Sequence, residues 1–306
     1  MTTWLSNNRQ RLLQLTGTLL AIGMLFFLLK EEGWNEIVNA MREIKVTDLF
    51  WVAVLFLISR TAIIWRWHIL LRSAGINIRF RDSTALTFTG LFASNFLPTT
   101  IGGDVVRLAG AMQMGFDRAV CLASIAADRI IGMAGMSMTV PIGLVYSWNT
   151  LQIVSAASSM VAFIKKPIEF LKRTIVIFSI WLKKPGAMLI SLICTWIHML
   201  CLFGSIYIFV DDLGSHVSFW MIAGLWSLTY FITLIPISIN GYGLQELSFT
   251  FLMSHVAGIT PAMSLTVAVL IRAYFILSSL PGAAFLPSIL SVMAEQKKNA
   301  SLPDES

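Results

Sequence analysis

Six ionic residues stand inside runs that are otherwise apolar: Asp104, Arg107, Asp128, Arg129, Glu246 and Arg272. Guanidinium binds phosphate oxygens through paired N–H groups and cannot shed its charge. A carboxylate beside it either orients that guanidinium or carries a proton, and Asp104, Asp128 and Glu246 are each placed to do so. Asp104 and Arg107 are three apart, so on a helix they share a face. Asp128 and Arg129 are adjacent and point about 100° apart, so each needs a partner on another helix. Glu246 is a candidate partner for Arg272 or Arg129. Arg60, in the middle of Leu49–Leu71, joins Arg107, Arg129 and Arg272 in a set that suits an anionic head group better than a cation. Arg66, beside Trp67, is expected to snorkel to an interface instead.

The chain that must position these groups has 306 residues, 57% hydrophobic and only 12% charged. A soluble domain carries about 25% charged residues. Mean hydropathy is +0.77, and several apolar runs approach the roughly 20 residues that cross a bilayer. Composition therefore describes a polytopic membrane protein, built of helices because open sheet edges go unsatisfied in lipid. The expected spans are Leu12–Leu29, Leu49–Leu71, a short Ser83–Leu97, Ala119–Trp148, a weak Leu151–Ile164, Ala187–Val210, Val217–Ile239 and Met263–Leu290. Leu12–Leu29 lacks a small-residue cleavage site and reads as a first membrane helix rather than a signal peptide. In such a setting each charge facing lipid costs about 2.5–3.5 kcal/mol, and four or five together on the order of 10. They must face partners, water or a charged substrate.

The net charge of +6 is concentrated in short loops. Lys165, Lys166, Lys172, Arg173, Lys183 and Lys184 stand against the single acid Glu169, and Arg72, Arg79 and Arg81 mark a second basic loop. Lys30–Asp48 is acidic, and Asp211–Asp212 form an acidic turn. This is the charge bias that orients membrane helices, not a nucleic-acid footprint. Basic loops are expected on the cytoplasmic side, with both termini there.

Helix breakers sit next to the charges. In "NFLPTTIGGDVVRLAG", Pro98 has no N–H to donate and Gly102–Gly103 permit positive φ, so a helix ends near Leu97 and restarts. Irregular backbone at membrane depth must be buried in protein or line a wet cavity. A helix start also favours anions. Asp104 then either lines a cavity or caps the new helix while pairing with Arg107. The stretch lines up with "TLIPISINGYGLQELS", matching Pro98 to Pro236 and Gly103 to Gly241, with Arg107 beside Gln245–Glu246. Further on, "AVCLASIAADR" lines up with "AMSLTVAVLIR", matching Arg129 to Arg272. These blocks define halves of about 81–148 and 217–291 within one membrane domain. The first follows a basic loop and the second an acidic turn, so the halves are expected to be inverted. The fold expected is all-α, a polytopic bundle with two inverted, broken hairpins and either six or eight crossings.

Catalytic signals are weak. His68, His198, His216 and His255 form no metal-like pair, and Cys121, Cys194 and Cys201 lie in apolar runs as packing residues. No Gly-x-Ser-x-Gly, His-Glu-x-x-His or P-loop pattern occurs. No enzyme, cofactor or metal is expected.

At these residues the chain resembles the lysylphosphatidylglycerol synthase transmembrane-region family, described also as flippase-like integral membrane proteins. Asn95, Pro98, Gly102, Gly103, Asp104, Arg107, Asp128 and Arg129 meet one family pattern, and Pro236, Ser238, Asn240, Gly241, Gly243 and Glu246 meet a second. Arg66–Trp67 is similar to an Arg-Trp pair in the second span of such proteins. The resemblance implies a prokaryotic cytoplasmic membrane and a role in moving lipid between leaflets. It implies membrane lipids as partners, with Asn95 and Asn240 added to the ionic residues as substrate-binding. The chain ends at Ser306 soon after the last span, so the soluble aminoacyl-transfer domain of the synthases is not expected. Three roles remain open. One is a carrier of an anionic phospholipid or polyprenyl-linked glycolipid head group. Another is an accessory subunit of an envelope glycosyltransferase or lipid-modifying enzyme, docking through Lys165–Lys184. The third, and least favoured, is an intramembrane enzyme.

Overall fold

A computed structural model describes residues 34–96, 102–153, 184–235 and 238–285, with the isolated positions Leu19 and Gly23. Nearly all of the expected spans Leu12–Leu29 and Leu151–Ile164, with Pro98, Pro236 and nearly all of the basic loop, lies outside the described residues. So does the count of crossings that depends on them. All regular structure among the described residues is helical.

Among these residues ten α-helices follow in order: α1 Trp34–Glu43, α2 Val46–Ser73, α3 Phe80–Phe96, α4 Gly102–Gln113, α5 Arg118–Ser137, α6 Val140–Ile153, α7 Pro185–Asp212, α8 Phe219–Thr233, α9 Leu244–His255 and α10 Pro261–Ser279. Short 3₁₀ turns occupy Ile239–Gly241 and Leu280–Ala284. Among the described residues, four stretches are long and apolar enough to cross a membrane: Val46–Ser73, Arg118–Trp148, Pro185–Asp212 and Pro261–Ala284. At about 1.5 Å per residue, the 28-residue α2 and α7 each reach roughly 42 Å and exceed the ~30 Å hydrocarbon layer. The 12-residue α4 and α9 reach only about 18 Å and cannot cross. α8 stops at Thr233, well short of the expected Ile239. The residue before a proline resists the α conformation, and Pro236 follows within three residues.

α2 and α7 lie against each other along their length in opposite directions. Lys45, just before α2, donates from Nζ to Asp212 at the far end of α7 at 2.7 Å. Ser59 meets His198 at mid-length, Oγ to Nδ1 2.6 Å. Lys184, just before α7, donates to the Ser73 carbonyl at the end of α2.

These two helices also occupy equivalent places in the chain. Each has 28 residues and is followed by a glycine at positive φ, Gly75 or Gly214. Half-length helices follow in both cases, α3–α4 and α8–α9, then another positive-φ glycine, Gly115 or Gly258. A side-chain cap comes next, Asp117 accepting from Val120 N at 2.9 Å and Thr260 from Met263 N at 3.3 Å. It opens α5 or α10. The correspondence therefore takes in α2 and α7, outside the bounds set by the two motif blocks. Because equivalent helices run antiparallel, the two units have opposite sense.

Packing falls into two main apolar clusters, with a small third of Leu70, Ala127 and Ile131 between α2 and α5. A large apolar cluster joins α2, α7, α8, α9 and α10 around Phe203, Phe209, Phe249 and Ile271. A smaller one, centred on the fully buried Trp67, joins α2, α3, α4 and α5. Asp104, Arg107, Asp128 and Arg129 are carried by helices of this second cluster, α4 and α5.

Candidate functional site

α3 and α4 can cross closely because both helices carry glycine where they meet. A Cβ on Gly103 would fall on the Gly90 carbonyl and the Ser94 hydroxyl, and one on Gly90 would strike the aliphatic stem of Arg107. That crossing sets Asp104 and Arg107, one turn apart on α4, against α5 and α2. Both are buried. Asp104 stands in the first turn of α4, where a carboxylate is favoured by the helix dipole.

The side chains form an alternating chain of charges. Arg66 of α2 donates from Nε to Asp128 Oδ1 at 2.6 Å. Arg107 Nη1 reaches Asp128 Oδ2 at 3.2 Å and Asp104 Oδ1 at 3.4 Å. Arg129 closes the chain with its Nε on Asp104 Oδ2. Three cations against two anions leave the group at net +1. Arg107 also lies over the Trp67 ring, 4.0 Å from its centroid, a desolvated cation–π contact. Its Nε and Nη2 are buried without a hydrogen-bond partner. Arg129 is the accessible member, with 44% of its side chain exposed.

A cavity of about 290 Å³ opens beside this chain. Its wall includes Arg66, Asp104, Arg107, Asp128 and Arg129, together with Ser94, Thr195, His198 and Tyr230. Tyr230 comes from α8 and His198 from α7, so both units build it. The size is at the low end of ligand pockets, roughly 300–1,000 Å³, enough for a head group and not its acyl chains.

The remaining site residues stand elsewhere. Arg272 of α10 donates from Nε to Glu246 Oε1 of α9 at 2.5 Å. Its Nη1 and Nη2 lie 3.5 and 3.3 Å from the Asn240 and Gly241 carbonyls, and its guanidinium sits 4.8 Å from the Tyr242 ring centroid. Asn240 adopts positive φ, +49°, followed by Gly241 and Gly243 at +72° and +73°; asparagine and glycine tolerate this region best. Neither Glu246 nor Arg272 lines the cavity. The equivalence therefore pairs Asp104–Arg129 with Glu246–Arg272, rather than Arg107 with Glu246.

Asn95 joins the two units. Near the end of α3, it donates from Nδ2 to Ser279 Oγ at 2.9 Å, and its Oδ1 accepts from Asn240 Nδ2 and Tyr242 OH, both at 3.3 Å. Asn95→Ala is expected to cost about 1–3 kcal/mol through lost bonds and stranded partners. A fall in the melting temperature of the detergent-solubilised protein would report it.

Two arginines depart from expectation. Arg66 does not snorkel; it is only 9% exposed and holds Asp128. It fits because Gly132 leaves room, a Cβ there lying 3.3 Å from Nη1, and because Thr195 accepts from Nη1 at 3.2 Å. Arg60 does not join the other arginines. It donates to Ser278 Oγ at 2.9 Å and lies 5.2 Å from the Phe275 ring centroid. Thr195, His198 and Tyr230 were missed as lining residues. A buried polar group on the apolar α7 was the available signal for the first two.

Residues 14–165 and 150–282 match the family model described as the lysylphosphatidylglycerol synthase TM region. The chain belongs to this family. No curated protein matches it. As a lysylphosphatidylglycerol synthase TM-region protein with four apolar stretches of spanning length, it is a multi-pass membrane protein.

Proposed function

We propose that this chain is a carrier, not an enzyme, that moves the head group of an anionic phospholipid or polyprenyl-linked glycolipid across a prokaryotic cytoplasmic membrane. The observation that carries the reading is the cavity itself, a polar void among apolar helices lined by a charge network of net +1. A phosphate in the cavity would meet the accessible Arg129, beside the excess positive charge of the network. Two units of opposite sense that share one cavity suit alternating exposure to the two sides. The charge bias of the basic loops supports cytoplasmic termini.

The test is leaflet exchange in vesicles containing purified protein, using fluorescently labelled phosphatidylglycerol and polyprenyl-phosphate glycans. Wild type is expected to accelerate exchange of an anionic lipid and leave phosphatidylcholine alone. Arg129→Ala and Arg107→Ala are expected to reduce that exchange at least tenfold, the effect of losing about 1.4 kcal/mol of binding. Absence of exchange for every anionic lipid would refute the carrier reading. In that case the Lys165–Lys184 loop favours the accessory role, tested by capture of a glycosyltransferase or lipid-modifying enzyme that neutralising the loop abolishes.

A further inference from the structure

We infer that His198 and Tyr230 select the head group, so that the cavity takes a phosphate diester with a neutral, hydroxylated substituent and rejects an amino one. The inference rests on the carrier reading for its purpose, while the binding preference itself is tested without it.

The lining side chains sort by what they can offer a ligand. Asp104 and Asp128 each receive guanidinium N–H groups on both carboxylate oxygens, so the charged wall is largely turned in on itself. Thr87, Ser94 and Thr195 donate their hydroxyl protons one turn back along their own helices, to the Ser83, Gly90 and Ser191 carbonyls at 2.8, 2.8 and 3.0 Å. Arg129 remains accessible. His198 and Tyr230 carry their polar atoms at the far end of a ring, out of reach of their own backbone. Ser59 holds His198 by Nδ1 at 2.6 Å, which leaves Nε2 as the ring nitrogen for a ligand. The Tyr230 hydroxyl lies within electrostatic reach of Arg129, Arg66 and Asp128, and His198 within reach of Arg66 and Asp128, so both rings look onto the charged wall.

The chemistry of these groups divides the cavity. Arg129, on α5, suits the phosphate. A phenol and an imidazole nitrogen, on α8 and α7, exchange hydrogen bonds with hydroxyls. An ammonium would find both carboxylates already occupied and the surrounding charge positive, and like charges brought together are costly. Size narrows the choice further. At about 30 Å³ for each water-sized group, the cavity of about 290 Å³ seats one phosphate and a small polyol, not an oligosaccharide. A site built to bond a hydroxyl discriminates strongly against an analogue that lacks it. The bound head group also spans both units, its phosphate on the first and its hydroxyls on the second.

Calorimetric titration of the purified full chain in detergent with three short-chain lipids tests this. Phosphatidylglycerol and phosphatidylpropanol have the same charge and carbon skeleton and differ by hydroxyls alone; phosphatidylethanolamine brings the amine. Wild type is expected to bind phosphatidylglycerol severalfold more tightly than phosphatidylpropanol, and phosphatidylethanolamine least. Tyr230→Phe is expected to erase most of that preference without weakening phosphatidylpropanol, whereas Arg129→Ala weakens both anionic lipids alike. A Tyr230→Phe variant that weakens both alike would show a packing role and overturn the inference. Where that variant misfolds, wild type decides alone: no preference for phosphatidylglycerol over phosphatidylpropanol, equal binding of phosphatidylethanolamine, or no binding of any of the three overturns it. Leaflet exchange separates the two readings. Exchange of anionic lipids without the hydroxyl preference overturns the selection and keeps the carrier; preferential binding without exchange keeps the selection and overturns the carrier.

Discussion

Asp128→Asn should be the most damaging single-atom change in this protein. Asp128 is the anion shared by Arg66 and Arg107, one guanidinium on each oxygen. Asparagine keeps the shape but leaves two buried cations with one remaining carboxylate, Asp104, between three arginines. Breaking a buried ion pair by removing one partner costs about 3–5 kcal/mol, a large part of the roughly 5–15 kcal/mol that holds a typical domain together. The expected result is a sharp fall in melting temperature and loss of lipid exchange. Removing one of the stranded cations as well, by Arg66→Met, should recover part of the stability. The double variant is expected to melt above Asp128→Asn alone, the signature of coupled residues in a double-mutant cycle. An unchanged melting temperature for Asp128→Asn would show that water, and not Asp128, neutralises these arginines.

Gly103→Ala should be nearly as harmful, although it adds a single methyl group. The new Cβ lands on a backbone carbonyl, that of Gly90, and on the Ser94 hydroxyl. A carbonyl within a helix cannot rotate away, so α3 and α4 must separate. Overpacking of this kind costs about 1–3 kcal/mol and occasionally more, and a clash with backbone belongs at the upper end. Separation also carries Asp104 and Arg107 out of register with Asp128. Adding Ser94→Ala should restore little, because the Gly90 carbonyl remains in the way. Gly132→Ala is the control. Its Cβ would lie 3.3 Å from the Arg66 Nη1, a far looser contact than those met at Gly103, so its melting temperature is expected to fall less than that of Gly103→Ala.

Much of the fold was legible because hydropathy reports length directly. Leu49–Leu71, Ala119–Trp148 and Ala187–Val210 lie within helical stretches of spanning length. The glycines serve a different purpose from the expected positive φ: Gly103 lies within α4 without it and serves the close crossing with Gly90 instead. The outward search of Asp128 and Arg129 for separate partners follows from residue chemistry alone. Spacing could not say which partner each would find. That depends on how helices rotate about their axes when they pack, and no local pattern records it. Arg66 shows the difficulty: next to Trp67 near a span end, it looks like an interfacial residue until Gly132 and Asp128 are seen facing it. Glu246 and Arg272 show the converse. The repeat was visible, but the split of the two ion pairs into one beside the cavity and one apart from it depends on tertiary packing.

The seam between α2 and α7 limits how the molecule can move. It is fastened near both ends, by Lys45–Asp212 and Lys184–Ser73, and again midway by Ser59–His198. Sliding one helix along the other would break all three fastenings at once, so the pair behaves as a fixed axle. Under the carrier reading, any motion that changes access to the cavity is expected in the shorter helices on either side of it, pivoting about the axle rather than travelling along it.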